Sequence, residues 1–471
     1  MNEVVLNELP KNWEWTKLGD VVTKIIGGGT PSKNKPQYWD GDIPWLTVKD
    51  MRSQRPADAM DHISEKAVEE SSTNIIPEDT VIIATRIGLG KVIRVPYKAA
   101  INQDLKALMV PTEIDKGYLE YWFVSKTNYL ESIGSGTTVK GIRLEQVRNL
   151  DFPLAPPEQQ KRIVAKIEEL FSHIDAGIEA LKKAKQLLKQ YRQSVLKAAV
   201  TGDLTKEWRE ANKAKLEPAT QLLERILKER RKKWEEQQLE QFKAKGKMPK
   251  DDKWKEKYPE PIFPGHLDLP NEWAAASLDQ LTEYVTSGSR GWAKFYADSG
   301  ATFIRAQNLK YDELDLNSIA YVSLPDKAEG MRTRVKYGDL LITITGANVT
   351  KTGYVNIDLD EAYVSQHVAL CRPIRIDYVR YIYIYVISKD GARKRLEEAA
   401  YGAGKPGLNL DNLKTLQIAF PSIEEQEEIV RLVDQRFASV QRLEDELVIQ
   451  LRKSEKNKQS ILFSAFSGRL H

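Results

Sequence analysis

One set of phrases is written twice in this chain, and that repeat constrains the fold more than any other feature. Leu9-Pro10-Lys11-Asn12-Trp13 returns as Leu269-Pro270-Asn271-Glu272-Trp273. The run from Gln193-Ser194-Val195-Leu196 to Gly202-Asp203-Leu204 aligns without a gap against Gln459-Ser460-Ile461-Leu462 to Gly468-Arg469-Leu470, an offset of 266 residues. The same offset of 266 relates Gln160-Lys161-Arg162-Ile163-Val164 to Gln426-Glu427-Glu428-Ile429-Val430, and Phe171 to Phe437. Solenoid units run to a few tens of residues, so this period marks a duplicated globular domain followed by a long helix. An internal two-fold repeat suits a ligand with two-fold symmetry of its own, and duplex DNA is the obvious one.

Between residues 158 and 200, Ile163, Ile167, Leu170, Ile174, Gly177, Leu181, Ala184, Leu188, Tyr191, Val195 and Ala198 recur at alternating spacings of four and three. That is a heptad seam, and a helix of this length extends roughly 60 Å. Pro156-Pro157 can seat its first turn, where a missing N–H is harmless. The second copy, 423–465, keeps the seam at Ile429, Val433, Val440, Leu443, Leu447 and Ile461. It turns polar at Arg436, Gln450, Ser454 and Asn457, where Val448 and Leu451 offer a shifted apolar register. An exposed seam invites aggregation, so the two helices are expected to pack on each other, antiparallel. The blocks between are strand-rich, with β-branched runs such as Thr80–Thr85 broken by Gly and Pro. The expected division is 1–155, a first domain; 156–202, the first long helix; 203–265, a charged linker with a short helix near Gln221–Leu227; 266–420, a second domain; and 421–471, the second long helix.

Composition narrows the class. A hydrophobic content of 41% supports real cores, and the longest apolar runs, such as Tyr381–Ile387, are too short for a membrane span. Met1-Asn2-Glu3 lacks the basic and apolar stretches of a signal peptide, so a cytoplasmic protein is expected. The single cysteine, Cys371, excludes an intrachain disulfide and reads as a small buried hydrophobe. The net charge is only +4, and residues 203–257 carry 17 Lys/Arg against 12 Asp/Glu. Any nucleic-acid surface must therefore be a local patch. The basic run Lys228–Lys233 reads as a solvated helix face, or alternatively as a phosphate contact.

Catalytic constellations are missing from the sequence. His62, His173, His266, His367 and His471 stand singly, without the spacing of a zinc site. Gly28-Gly29-Thr30-Pro31-Ser32-Lys33 lacks the second glycine of a phosphate loop, and Gly402-Ala403-Gly404-Lys405-Pro406 has proline where a metal-binding hydroxyl belongs. The glycine-rich loops have a different use. Gly27–Lys35 and Thr286–Lys294 occupy the same place in the two halves and combine backbone N–H groups, hydroxyls and cations, the mix that contacts phosphates and base edges. Two further loop pairs match: Gly134–Arg143 with Ala400–Asn409, and Thr85-Arg86-Ile87-Gly88 with Thr345-Gly346-Ala347-Asn348. Asp79 matches Asp339 and Gln103 matches Gln366, yet the polar loop residues differ between halves. One scaffold with two unlike surfaces is what reading a bipartite, asymmetric sequence requires.

Taken together, these phrases resemble the specificity subunit of type I restriction–modification systems, over essentially the whole chain. Leu-Pro-x-x-Trp opens each half. Gly28-Gly29-Thr30-Pro31-Ser32 followed by Tyr38-Trp39-Asp40-Gly41-Asp42-Ile43-Pro44-Trp45 is similar to one class of target-recognition domain, and Gly288-Ser289-Arg290-Gly291-Trp292 followed by Phe303-Ile304-Arg305-Ala306-Gln307-Asn308 to another. Pro-x-x-Glu-Gln-x-x-Ile opens the second long helix at Pro421, and the first at Pro156 with Gln159 in place of the glutamate. The resemblance implies an α+β or α/β fold with two globular target-recognition domains separated by a long antiparallel two-helix coiled coil, in an internal pseudo-two-fold repeat. It implies double-stranded DNA as ligand, two methyltransferase subunits and endonuclease/translocase subunits as partners, no membrane, and no catalysis by this chain. Adenosylmethionine, ATP and magnesium would belong to the partners, leaving this chain without catalytic, cofactor or metal residues. The DNA-contacting residues expected are Thr30, Ser32, Lys33, Arg86, Lys140 and Arg143 in the first domain, and Ser289, Arg290, Trp292, Lys294, Asn348 and Lys405 in the second. The rival readings are a self-sufficient nuclease and a coiled-coil adaptor with two protein-binding heads.

Overall fold

A computed structural model describes residues 9–136, 140–325, 331–400 and 406–470. The chain divides into two compact units, residues 1–184 with 446–471, and residues 185–445. The boundary falls inside both long helices, Pro157–Thr201 and Ile423–Phe466, so each helix contributes one end to each unit.

Each unit carries the same sheet, all antiparallel. In the first unit the strand order is Lys24–Gly27, Leu105–Met109, Val81–Ala84, Val92–Arg94. In the second it is Thr282–Ser287, Val368–Pro373, Leu340–Thr343, Thr352–Tyr354. Strands such as Val81–Ala84 and Leu340–Thr343 are buried throughout, which explains their continuous apolar sequence. A second sheet in each unit pairs two strands in parallel, Ile43–Leu46 with Ala99–Ile101, and Ala301–Ile304 with Ala362–Val364. Its fourth strand differs. Asn74–Ile76 pairs beside Ala99–Ile101 in the first unit, whereas among the described residues of the second an isolated bridge, Arg334 to Tyr363, stands at the corresponding edge. There the extra pairing is Tyr296–Ala297 on Ala320–Val322.

The repeated phrases form the base of each unit. Trp13 precedes the strand Glu14–Lys17, which pairs with Asp151–Leu154; Trp273 precedes Ala274–Ser277, which pairs with Gln417–Phe420. Trp13 Nε1 donates to Gln159 Oε1 at 2.6 Å, and Trp273 Nε1 donates to Glu425 Oε2 at 3.0 Å. The two phrases shared by the halves thus hydrogen-bond to each other. The glutamine that follows acts alike in both copies, with Gln160 Nε2 donating to the Ala155 carbonyl and Gln426 Nε2 to the Pro421 carbonyl, each at 2.8 Å.

The heptad seams supply the helices' protected side. Ile163, Ile167, Val195, Ile429, Val433 and Val440 are buried, and Leu170, Ile174, Leu181, Ala184, Leu188, Ala198, Leu447 and Ile461 are half-buried. Within the first unit Lys458 pairs with Asp175 at 2.5 Å, and Ile163, Ile167 and Phe171 share a core with Leu462, Ala465 and Phe466. Within the second, Arg192 pairs with Glu444 at 2.9 Å while Val195, Leu196 and Ala199 share a core with Ile429 and Val433. Position along one helix rises as it falls along the other, so the paired segments run antiparallel in each unit. Four seam details differ from expectation. Gly177, Tyr191 and Leu443 are exposed, and in the polar stretch Gln450, Leu451 and Ser454 are half-buried while Val448 and Asn457 are exposed, so neither register alone lines it.

The charged segment holds a longer helix than expected, Ala219–Ala244. Leu222 and Ile226 are fully buried in the second unit's core. Arg230, in the middle of the basic run, is buried too. It donates to the Thr282 carbonyl at 3.2 Å, the Tyr258 hydroxyl at 2.6 Å and the Pro259 carbonyl at 2.9 Å. Lys233 donates to Glu283 and to the Ile374 carbonyl. A buried guanidinium needs such partners, so Arg230 and Lys233 are structural anchors, while Lys228, Arg231 and Lys232 remain accessible at least in part. Cys371 is buried, as expected, and burial pushes its thiol well above the usual range.

Candidate nucleic-acid interface

In the first unit three loops converge where the two sheets meet. Gly28 sits against the chain at Ile101 and Asn102, so close that a Cβ there would lie 1.8 Å from the Ile101 carbonyl oxygen. Only glycine fits. The next residues, Gly29 and Thr30, are thereby carried onto the Ile101–Leu105 turn: Gly29 N donates to the Ile101 carbonyl, and Thr30 Oγ1 donates to Gln103 Oε1 at 2.5 Å. That turn is rigid. Asn102 and Asp104 are buried and bonded to each other at 3.1 and 3.2 Å, leaving Gln103 exposed between them.

Arg86 joins the same surface. Its guanidinium lies 3.7 Å from Asp104, and its backbone bridges to Gly141. Lys140 is tied to the same loop, its carbonyl accepting from Ile87 N at 3.4 Å. Lys106, which the sequence reading overlooked, donates to the Gln103 carbonyl at 2.7 Å. Burial lowers the affinity of its amine for the proton, Asp104 pulls it back, and nearby Arg86 lowers it further. The result is a patch of Thr30, Gln103, Arg86, Lys106 and Lys140 with one carboxylate beneath it. Ser32, Lys33 and Arg143 are exposed, but among the described residues no side-chain contact draws them into this patch; Arg143 stands at the N-cap of the helix Leu144–Arg148.

The second unit repeats the frame. A Cβ on Gly288 would lie 2.1 Å from the Val364 carbonyl oxygen, matching Gly28. Ile344 N donates to the His367 carbonyl as Thr85 N does to the Asp104 carbonyl, and Thr345 bridges to Gly407 as Arg86 does to Gly141. These bonds correct the loop alignment by one residue: Arg86 stands opposite Thr345, not Gly346. At the place of the Arg86–Asp104 pair, the Thr345 hydroxyl hydrogen-bonds His367 Nδ1. Gln366 is exposed beside it, Nε2 donating to His367 Nε2 at 3.2 Å. The same position thus holds an ion pair in one unit and a hydroxyl–imidazole pair in the other.

Of the expected residues in this unit, Arg290 and Lys294 are exposed and Ser289 is half-buried. Asn348 is half-buried and donates to the Ala306 carbonyl at 3.3 Å. Trp292 is a correction. It is 4% exposed, with Phe303 and Tyr363 at ring distances of 5.8 and 5.3 Å. Gly291, in the left-handed region at φ 78°, turns the chain so that the indole enters the core. Such a side chain cannot reach a groove. Lys405 lies outside the described residues.

Among the described residues no cluster of three or more His, Cys, Asp or Glu side chains could hold a metal ion, and no helix is long and apolar enough to cross a membrane.

Comparison with known proteins fits this geometry. The sequence matches the family described as type I restriction modification DNA specificity domain at residues 10–188 and again at 231–452. The EcoBI specificity subunit of Escherichia coli is 27% identical, the match covering 84% of this chain and 74% of that protein. The EcoKI specificity subunit of Escherichia coli strain K12 is 22% identical over 98% of this chain and 90% of its own. Among solved structures, a chain from a type I R-M system, studied for complex assembly and conformational transition, superposes with a TM-score of 0.67 at 18% identity, covering 98% of this chain and 100% of its own. The HsdS subunit from Thermoanaerobacter tengcongensis gives 0.53 at 20% identity and 99% coverage of both chains. Two copies of one scaffold, two matched segments and two similar solved folds lead to one conclusion: this chain belongs to the type I restriction modification DNA specificity domain family.

Proposed function

We propose that this chain is the non-catalytic specificity subunit of a type I restriction–modification complex, reading a bipartite, asymmetric site in duplex DNA. The observation that carries the reading is the pairing of an invariant frame with unlike tips. Gly28 and Gly288 fix the same loop approach, while Arg86–Asp104 in one unit is replaced by Thr345–His367 in the other. Side chains of different hydrogen-bonding character select different base edges, so two half-sites of different sequence follow. The two long helices, shared by both units, would fix the length of the unread gap between half-sites. Two methyltransferase subunits would modify adenine in each half-site, and endonuclease/translocase subunits would cut unmodified DNA. Adenosylmethionine, ATP and magnesium would then be held by those partners, and the work would take place in the cytoplasm, where the DNA is.

Co-expression with the cognate methyltransferase subunit, followed by mapping of methylated adenines across the host DNA, tests this. The expected result is one motif of two short, dissimilar half-sites separated by a fixed gap. A lone contiguous site, or no methylation with an active partner, would defeat the reading and return the adaptor and nuclease alternatives.

A further inference from the structure

We propose that Gln103 and Gln366 are specificity-determining residues, each reading an adenine at the matched position of its own half-site; this rests on the DNA-reading function proposed above. Three observations converge on these two side chains. First, they occupy the same point of the frame. Asn102 N donates to the Leu46 carbonyl and Leu105 N to the Asn102 carbonyl, and Ser365 N to the Ile304 carbonyl with Val368 N to the Ser365 carbonyl repeats that pattern. Second, both glutamines are exposed while the residues before them, Asn102 and Ser365, are buried, so each is presented outward from a fixed turn. Third, each amide is oriented by a neighbour and yet keeps bonding capacity.

Thr30 Oγ1 donates to Gln103 Oε1 at 2.5 Å, which holds the amide in place and leaves one oxygen lone pair and both N–H groups for a ligand. Gln366 Nε2 donates one of its two hydrogens to His367 Nε2 at 3.2 Å, leaving the other hydrogen and the oxygen. An acceptor beside a donor is the complement of adenine's major-groove edge, where N6 donates and N7 accepts. The surrounding groups differ: Thr30, Arg86, Asp104 and Lys106 about Gln103, and Thr345 and His367 about Gln366. The two half-sites should therefore share one adenine position and differ around it.

The test uses the full chain assembled with its methyltransferase subunit, as wild type, Gln103→Ala, Gln366→Ala and the shape-preserving Gln103→Glu and Gln366→Glu, which lack the amide donor. The methylated motif is mapped for each. Binding is then measured to duplexes carrying the wild-type motif or a single substitution of the matched adenine. Wild type should lose on the order of tenfold in affinity when that adenine is replaced. Each glutamine variant should lose that discrimination in one half-site and keep it in the other, so the untouched half-site reports that the complex is folded. Retained discrimination in all four variants, or its loss in both half-sites from a single variant, would overturn the proposal. A bipartite wild-type motif alongside either result would leave the DNA-reading function standing, whereas absence of any bipartite motif would remove both.

Discussion

At the base of the two units the same tryptophan meets two different partners. In the first unit Trp13 donates to a neutral amide, Gln159. In the second, Trp273 donates to Glu425, a carboxylate that is 1% exposed and also accepts from Thr205 at 2.7 Å and from Arg209 at 2.9 Å. Arg209 lies in the helix Lys206–Asn212, directly after the first long helix, and stacks over the Trp273 ring. The fold tolerates either solution, but the charged one needs its cation. A buried carboxylate without a partner is costly, whereas a neutral amide is satisfied by one or two hydrogen bonds. A glutamate in one copy and a glutamine in the other thus follow from what stands beside them.

Breaking that contrast gives the largest effect. Arg209→Met should destabilise the second unit by about 3–5 kcal/mol, because Glu425 stays buried with its charge uncompensated. Adding Glu425→Gln to Arg209→Met recreates the first unit's arrangement and should recover most of the loss; denaturant unfolding of the single and double variants measures both. If the double variant is no more stable than Arg209→Met, the contrast has been misread. The glycines come next. Gly28→Ala and Gly288→Ala should each cost about 1–3 kcal/mol from forced backbone displacement, and by similar amounts, since the added Cβ would lie 1.8 and 2.1 Å, respectively, from a carbonyl oxygen. Unequal costs would mean that the two loops are not seated alike. The smallest effect is expected from Gln159→Ala, about 1 kcal/mol for one neutral hydrogen bond, seen as a modest shift in the same unfolding curves.

Much of this frame is legible in the sequence because it rests on period. The seam at Ile163, Ile167 and onward places the long helices within a residue or two of Pro157–Thr201 and Ile423–Phe466. What escapes is whatever depends on tertiary partners. The helix Ala219–Ala244 carries few buried apolar residues and is anchored partly through Arg230 and Lys233, which in sequence look like a solvated basic run. Trp292 looks like a reading residue because it follows a polar loop, yet the turn at Gly291 sends it inward. Gln103 and Gln366 are visible as a matched pair, but their exposure arises from buried neighbours and a tight turn. The one-residue slip between Arg86 and Thr345 has the same origin: backbone bonds to Asp104 and His367, rather than loop sequence, set that register.

The central claim is that one frame presents two independent sets of reading side chains, and exchanging one set tests it most directly. Thr345→Arg with His367→Asp places the first unit's Arg86–Asp104 pair on the second unit's frame. Methylation mapping of this variant with its methyltransferase subunit should show a motif altered in one half-site, with the other half-site and the gap unchanged. An unaltered motif, or one altered in both half-sites, would contradict the account.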